Sequence, residues 1–111
     1  MPHLPNADRA VIDPAKITDY LLAHGHRVGG PKADFLARFG FHPSVPEVLV
    51  AALMSHAASN EVDTVVPASY GIKYEICGPL MCPDGRMPQV RSVWISLHGE
   101  SLPRFVTAVP D

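Results

Sequence analysis

Two histidines one residue apart, His24 and His26, precede a glycine-rich loop that leads into Lys32, and the last third of the chain carries Lys73, Arg91, Ser92, Trp94, Arg104 and Thr107 in alternating segments. Each group suggests a different chemistry. Read as a metal pair, His24 and His26 would take a third ligand from His42, His56 or His98. Metal centres usually add carboxylates or cysteines at helical or tight-loop spacing, and this pattern matches no such signature, so no metal is expected. Gly29-Gly30-Pro31-Lys32 opening a helix suggests an anion site at a helix start, without the spacing of a phosphate-binding P-loop. The bland alternative is a connector with solvated histidines. Cys77 and Cys82, the only cysteines, are read as a strand-end thiol and a loop thiol; a disulfide between them is the less favoured option.

The strand Val90 to Leu97 is the clearest in the chain, and its faces decide what Trp94 can do. One side carries Arg91, Val93, Ile95 and Leu97, the other Val90, Ser92, Trp94 and Ser96. Burying the aliphatic side is expected to be cheaper: each such side chain is worth about 1.5 to 3 kcal/mol, whereas two serines would need buried partners. Trp94 would then face outward. The same reasoning buries Tyr70, Ile72, Tyr74 and Ile76 and turns Lys73 and Glu75 outward. In the last strand Phe105 is favoured inward, which puts Arg104 outside and Thr107 near the core unless a bulge intervenes. A tryptophan beside cations suits a base, sugar or phosphate-bearing ligand. The competing expectation covers Trp94 with the chain's own first segment or with a partner subunit, as in a homodimer.

The elements that must position these residues can be read along the chain. Met1 to Ala7 is expected to be flexible, and Arg9 to Asp13 to form a short strand. Asp13-Pro14 has N-cap chemistry and opens a helix through about Ala23, with Ile17, Tyr20 and Leu21 in its buried stripe. A second helix is expected from Lys32 to Phe39, stopped by Gly40. Ser44-Val-Pro-Glu47 has capping-box spacing ahead of a third helix from about Val45 to Ser59, with His56 at the core edge. After Asn60 the period changes to 2, giving strands at Val62 to Val66, Tyr70 to Cys77, Val90 to Leu97 and Arg104 to Val109. Helices followed by strands predict an α+β fold, with about three N-terminal helices on one face of an antiparallel sheet of three to four strands.

At 111 residues the chain has room for one domain. A formal charge of −2 argues against coating long stretches of nucleic acid, because such affinity comes from many neutralised phosphates; a compact cationic pocket remains compatible with it. The apolar runs fall well short of a membrane span and the amino end lacks an export pattern, so no membrane contact and a cytoplasmic location are expected.

The blocks Leu4-Pro-Asn-Ala-Asp-Arg-Ala-Val-Ile, Lys16 to Leu22, Gly30-Pro-Lys-Ala-Asp-Phe, Tyr70-Gly-Ile-Lys-Tyr, Gly78-Pro-Leu, Pro83-Asp-Gly-Arg, Val90-Arg-Ser-Val-Trp and Pro103-Arg-Phe-Val-Thr-Ala occur in an order that resembles a family of small bacterial domains of unknown function. Such domains stand alone or end larger phage-related and toxin-like proteins. Their layout is similar to that of compact ribonuclease toxins of the barnase, colicin and RelE type, in which helices precede a four-stranded sheet whose open face cleaves RNA. The resemblance implies metal-independent RNA cleavage or RNA or nucleotide binding, without a cofactor. It would make His26 or His24 acid or base, have Lys32, Arg91 and Arg104 hold the phosphate, make Ser92 or Thr107 a hydrogen-bond donor, and let Trp94 stack a base, with Lys73 on the same face. The chain departs from the toxin-type pattern in carrying Gly30-Pro31 where a basic residue and a histidine precede the lysine and alanine of the second helix. The alternative function is a non-catalytic interaction module, either an immunity or antitoxin-like partner or a homodimer.

Overall fold

The computed structural model describes residues 3–17, 30–42 and 44–111. A 3-10 turn at Ala7–Arg9 is followed by helices α1 (Pro14–Lys16), α2 (Gly30–Arg38) and α3 (Pro46–Ser59), and then by strands β1 (Val62–Ala68), β2 (Gly71–Pro79), β3 (Gln89–Leu97) and β4 (Arg104–Pro110). The strands form one antiparallel sheet in the order β1-β2-β3-β4. The expected α+β layout is therefore the observed one.

Local chemistry explains most element ends. Asp13 caps α1 by accepting the Ala15 N–H at 3.0 Å, with Pro14 at the first helical position, where its missing N–H is no loss. The capping box expected from Ser44 and Glu47 does not form. Val45 is the N-cap of α3 without a side-chain cap bond, and Pro46 removes one of the donors such a cap would serve. The expected strand at Arg9 to Asp13 shrinks to a single parallel bridge between Val11 and Arg104. In that bridge Val11 N–H donates to Pro103 O and Phe105 N–H to Val11 O, both at 2.8 Å, so the amino-terminal segment shields one end of the β4 edge. Leu4 and Ala7, expected in a flexible start, are buried in the core.

The core lies between the helices and one face of the sheet. Ile17, Leu36, Phe41, Leu49, Leu53 and Ala57 pack there with Ile76, Leu80, Val90, Trp94 and Phe105. This reverses the expectation for β3, because Trp94 and Ser92 are fully buried while Arg91, Val93 and Ile95 lie on the opposite face, half-buried. Two physical terms decide it. A tryptophan ring buries about 200 Å², worth roughly 5 kcal/mol at 25 cal/mol per Å², whereas Val93 and Ile95 keep much of their burial on the other face. The serine hydroxyl, whose burial was expected to be costly, finds partners on α3 and on Trp94 itself.

Bulges in β1 and β4 adjust the faces. Val62 pairs with Ile76 but Thr64 with Glu75, so Asp63 is an extra residue in β1. In β4, Phe105 pairs with Trp94 but Thr107 with Val93, so Val106 is extra. Phe105 therefore packs inward, with its ring centroid 5.3 Å from that of Trp94 in a T-shaped contact, while Thr107 joins Arg104 on the outer face. The expectation that placed Thr107 near the core is corrected by that single extra residue.

Candidate functional site on the outer sheet face

The sheet face turned away from the helices gathers a charged cluster. Residues alternate along β2, so Lys73, Glu75 and Cys77 share this side, opposite Ile95, Val93 and Arg91 of β3. Glu75 sits between two cations: Lys73 Nζ lies 3.4 Å from Oε2, and Arg91 Nη1 donates to Oε1 at 2.9 Å. Arg91 also lies 3.5 Å from Asp63, which the β1 bulge displaces from the regular register, and 3.6 Å from Asp111 just past β4. The Glu75 hydrogen bond pushes the Arg91 guanidinium pKa further up, so it stays charged throughout. Glu75 is one-fifth exposed and Arg91 under one-third.

Thr107 lies in the same lateral row as Glu75, since each pairs with Val93 from opposite sides. Two strand spacings put the row ends about 10 Å apart. Arg104 is on this face but pairs with Ile95, four positions along β3 from Arg91, or about 13 Å. Its guanidinium is held by Glu100 through two bonds of 2.8 Å. Arg104 and Arg91 therefore do not converge on one phosphate.

Behind the sheet is a buried polar relay whose proton positions follow from donor and acceptor counts. His56 Nε2 faces two carbonyls, Gly78 O at 3.1 Å and Val90 O at 3.0 Å, so it carries the hydrogen. Nδ1 is then the acceptor in a neutral ring, receiving the Ser92 hydroxyl at 2.9 Å. Trp94 Nε1–H in turn donates to Ser92 Oγ at 2.9 Å. Burial holds the His56 pKa below its ordinary value, opposed by the carbonyls of Gly78 and Val90.

The thiols fit no nucleophilic role. Cys77 and Cys82 are both free. Burial raises each pKa to about 11, helped by an Asp111 hydrogen bond at Cys77 and by the nearby Asp84 charge at Cys82. Among the described residues no cluster of three His, Cys, Asp or Glu side chains is placed to hold a metal ion. No helix among them is long and apolar enough to cross a membrane.

The structure thus brings Lys73, Arg91 and Thr107 onto one face, with Arg104 further along it. Ser92 and Trp94, expected on that face, belong instead to the core, and Ser96 shares their side of β3. His24 and His26 lie outside the described residues, as does the side chain of Lys32. His56, expected at the core edge, is fully enclosed. Sequence reasoning turned Glu75 outward without giving it chemistry, although Lys73-x-Glu75 on a strand puts a cation and a carboxylate side by side. Asp63 and Asp111 left no such signal, because one depends on a bulge and the other on the strand end.

Among solved structures, the chain is similar to a chain of a contact-dependent growth inhibition toxin–immunity protein complex from Klebsiella pneumoniae 342, with a TM-score of 0.71 over 92% of this chain and 100% of that one. At 19% identity the likeness is one of fold. No curated protein matches the sequence. A family model described as a domain of unknown function matches residues 3–111, and the chain belongs to that family, DUF6883.

Proposed function

We propose that this chain is a toxin-like domain that cleaves RNA without a metal, on the outer face of its sheet. The observation that carries the reading is Glu75, a partly exposed carboxylate held between Lys73 and Arg91 on the face the helices leave uncovered. Strand transfer within RNA needs a base, an acid and cations at the phosphorus. In this reading Glu75 takes the proton of the 2′-hydroxyl, whose oxygen attacks the adjacent phosphorus. The bond to the 5′-oxygen breaks as the 2′,3′-cyclic phosphate forms, and an acid returns a proton to the leaving oxygen. Arg91 and Lys73 stabilise the charge on the phosphorane, and Thr107 donates to a phosphate or ribose oxygen across the row. His24 and His26 are the proposed sources of the acid. The toxin–immunity likeness in fold supports a cognate protein partner, for which we propose this face, and an RNA target would put the action in the cytoplasm.

The purified chain, assayed with transfer RNA and unstructured RNA in the presence of a chelator, is expected to cut. Glu75→Gln and Arg91→Ala are expected to slow cutting by about 100-fold or more, the usual weight of a general base or a transition-state cation. Cutting at the wild-type rate in both variants would overturn the assignment.

A second reading draws on the charge balance of the same cluster. Arg91 is shared by Asp63, Glu75 and Asp111, so the patch holds more negative than positive charge, which opposes a polyanion and suits a protein partner with its own cations. A non-catalytic interaction module would show no cleavage and no RNA affinity, with binding to a partner protein that weakens in Arg91→Ala.

A further inference from the structure

We propose a nucleotide subsite in the cleft between the amino-terminal segment and the β3–β4 end of the outer face, where Arg104 receives a phosphate in place of Glu100. This rests on the RNA-directed reading above and extends it to the part of the strand beyond the cleavage centre. The cleft measures about 270 Å³ and is lined by Val11, Asp13, Lys16, Ile95, Arg104, Phe105 and Val106. A second hollow of about 290 Å³ adjoins it, sharing Val11 and Arg104 and opening toward Glu100 and Ser101. Arg104 stands between the two. Each is close to the lower size of small-ligand sites, about 300 Å³, and suits a single nucleotide better than a larger cofactor.

The lining divides by chemistry. Val11, Ile95 and Val106 give an aliphatic floor for the flat face of a base, and Val106 is there because it is the extra residue of the β4 bulge. Lys16 and Arg104 supply cations. Arg104 already binds an oxyanion in the fork geometry a phosphate would use, with Nε and Nη2 each 2.8 Å from an oxygen of Glu100. Both partners of that pair are exposed, and Glu100 follows Gly99 in a turn with φ of +80°, so the carboxylate can leave without disturbing the strand. Asp13 adds a carboxylate to the wall, but its Oδ1 is engaged by the Ala15 N–H at 3.0 Å. Glu100 thus acts as an internal substitute for the phosphate, and binding is an exchange of one anion for another. The 13 Å or so between the Arg91 and Arg104 positions is a distance an extended strand spans with its neighbouring nucleotides, so one RNA chain engages both.

Titration of the full chain with adenosine 5′-monophosphate, followed through the methyl signals of Ile95 and Val106, tests the subsite. Those signals are expected to shift, with adenosine alone and inorganic phosphate alone each binding more weakly. Glu100→Gln is expected to tighten binding several-fold, by removing the competitor, and Arg104→Ala to weaken it by about tenfold. No methyl shift, or an affinity that neither variant changes, overturns the subsite. RNA cleavage that is lost in Glu75→Gln but unchanged in the Arg104 and Glu100 variants would sink the subsite alone; nucleotide binding in the cleft of a chain that never cuts RNA would sink the cleavage reading alone.

Discussion

Ser92 Oγ accepts from the Trp94 indole and donates to His56, so one hydroxyl satisfies two buried rings at once. Ser92→Ala leaves both rings without that partner inside the core, and the cost of stranding each is about 1 to 3 kcal/mol, so chemical denaturation should show a loss of about 2 to 6 kcal/mol. The same relay sets a pH dependence. The folded-state pKa of His56 is lowered beneath its ordinary 6.5. As pH falls below 6.5 the unfolded chain takes up a proton that the folded chain refuses, so this contribution to stability is complete above 6.5 and is lost progressively as pH drops toward the folded-state pKa. Urea melts between pH 8 and 5 should follow that slope, and His56→Gln should flatten the part due to this ring. A wild-type slope of the opposite sign would refute the neutral tautomer.

The four strands and the helices α2 and α3 were legible because alternation and turn residues are local signals; of the helix expected from Asp13 through about Ala23, residues 18–23, with Tyr20 and Leu21, lie outside the described residues. The face of β3 was not, because its choice depends on a histidine 36 positions earlier in the chain that makes serine burial cheap. By contrast β2 was oriented correctly for Lys73, Glu75 and Ile76, although Tyr70, expected to be buried, sits exposed in the turn before the strand. The outward position of Thr107 depends on the Val106 bulge, which alternation cannot reveal. Another local constraint sits at the β1–β2 turn. Gly71 has φ of +151°, and a Cβ there would run into the carbonyl of Ser96 on β3. Gly71→Ala should cost about 3 kcal/mol and reduce the midpoint of thermal unfolding, because the close approach and the backbone conformation both resist a side chain. An unchanged midpoint would show that β2 and β3 can separate there without loss.

Among the described residues the helices pack against one sheet face, and the other holds the charge cluster of Lys73, Glu75, Arg91, Asp63 and Asp111. The chain's charge of −2 makes a broad electrostatic grip on RNA a poor expectation, so in the proposed reading recognition is short-range, through Glu75, Lys73, Arg91 and the cleft at Arg104. The inversion of β3 sharpens this, since Trp94 has no surface from which to stack a base. Titration of the nitrogen-15-labelled chain with a short RNA whose 2′-hydroxyls are blocked against cleavage tests the claim most directly. Amide shifts are expected to cluster at Lys73, Glu75, Arg91 and Thr107, with the Trp94 indole signal unmoved. Shifts centred on Trp94 and His56, or no shift anywhere on the outer face, would contradict it.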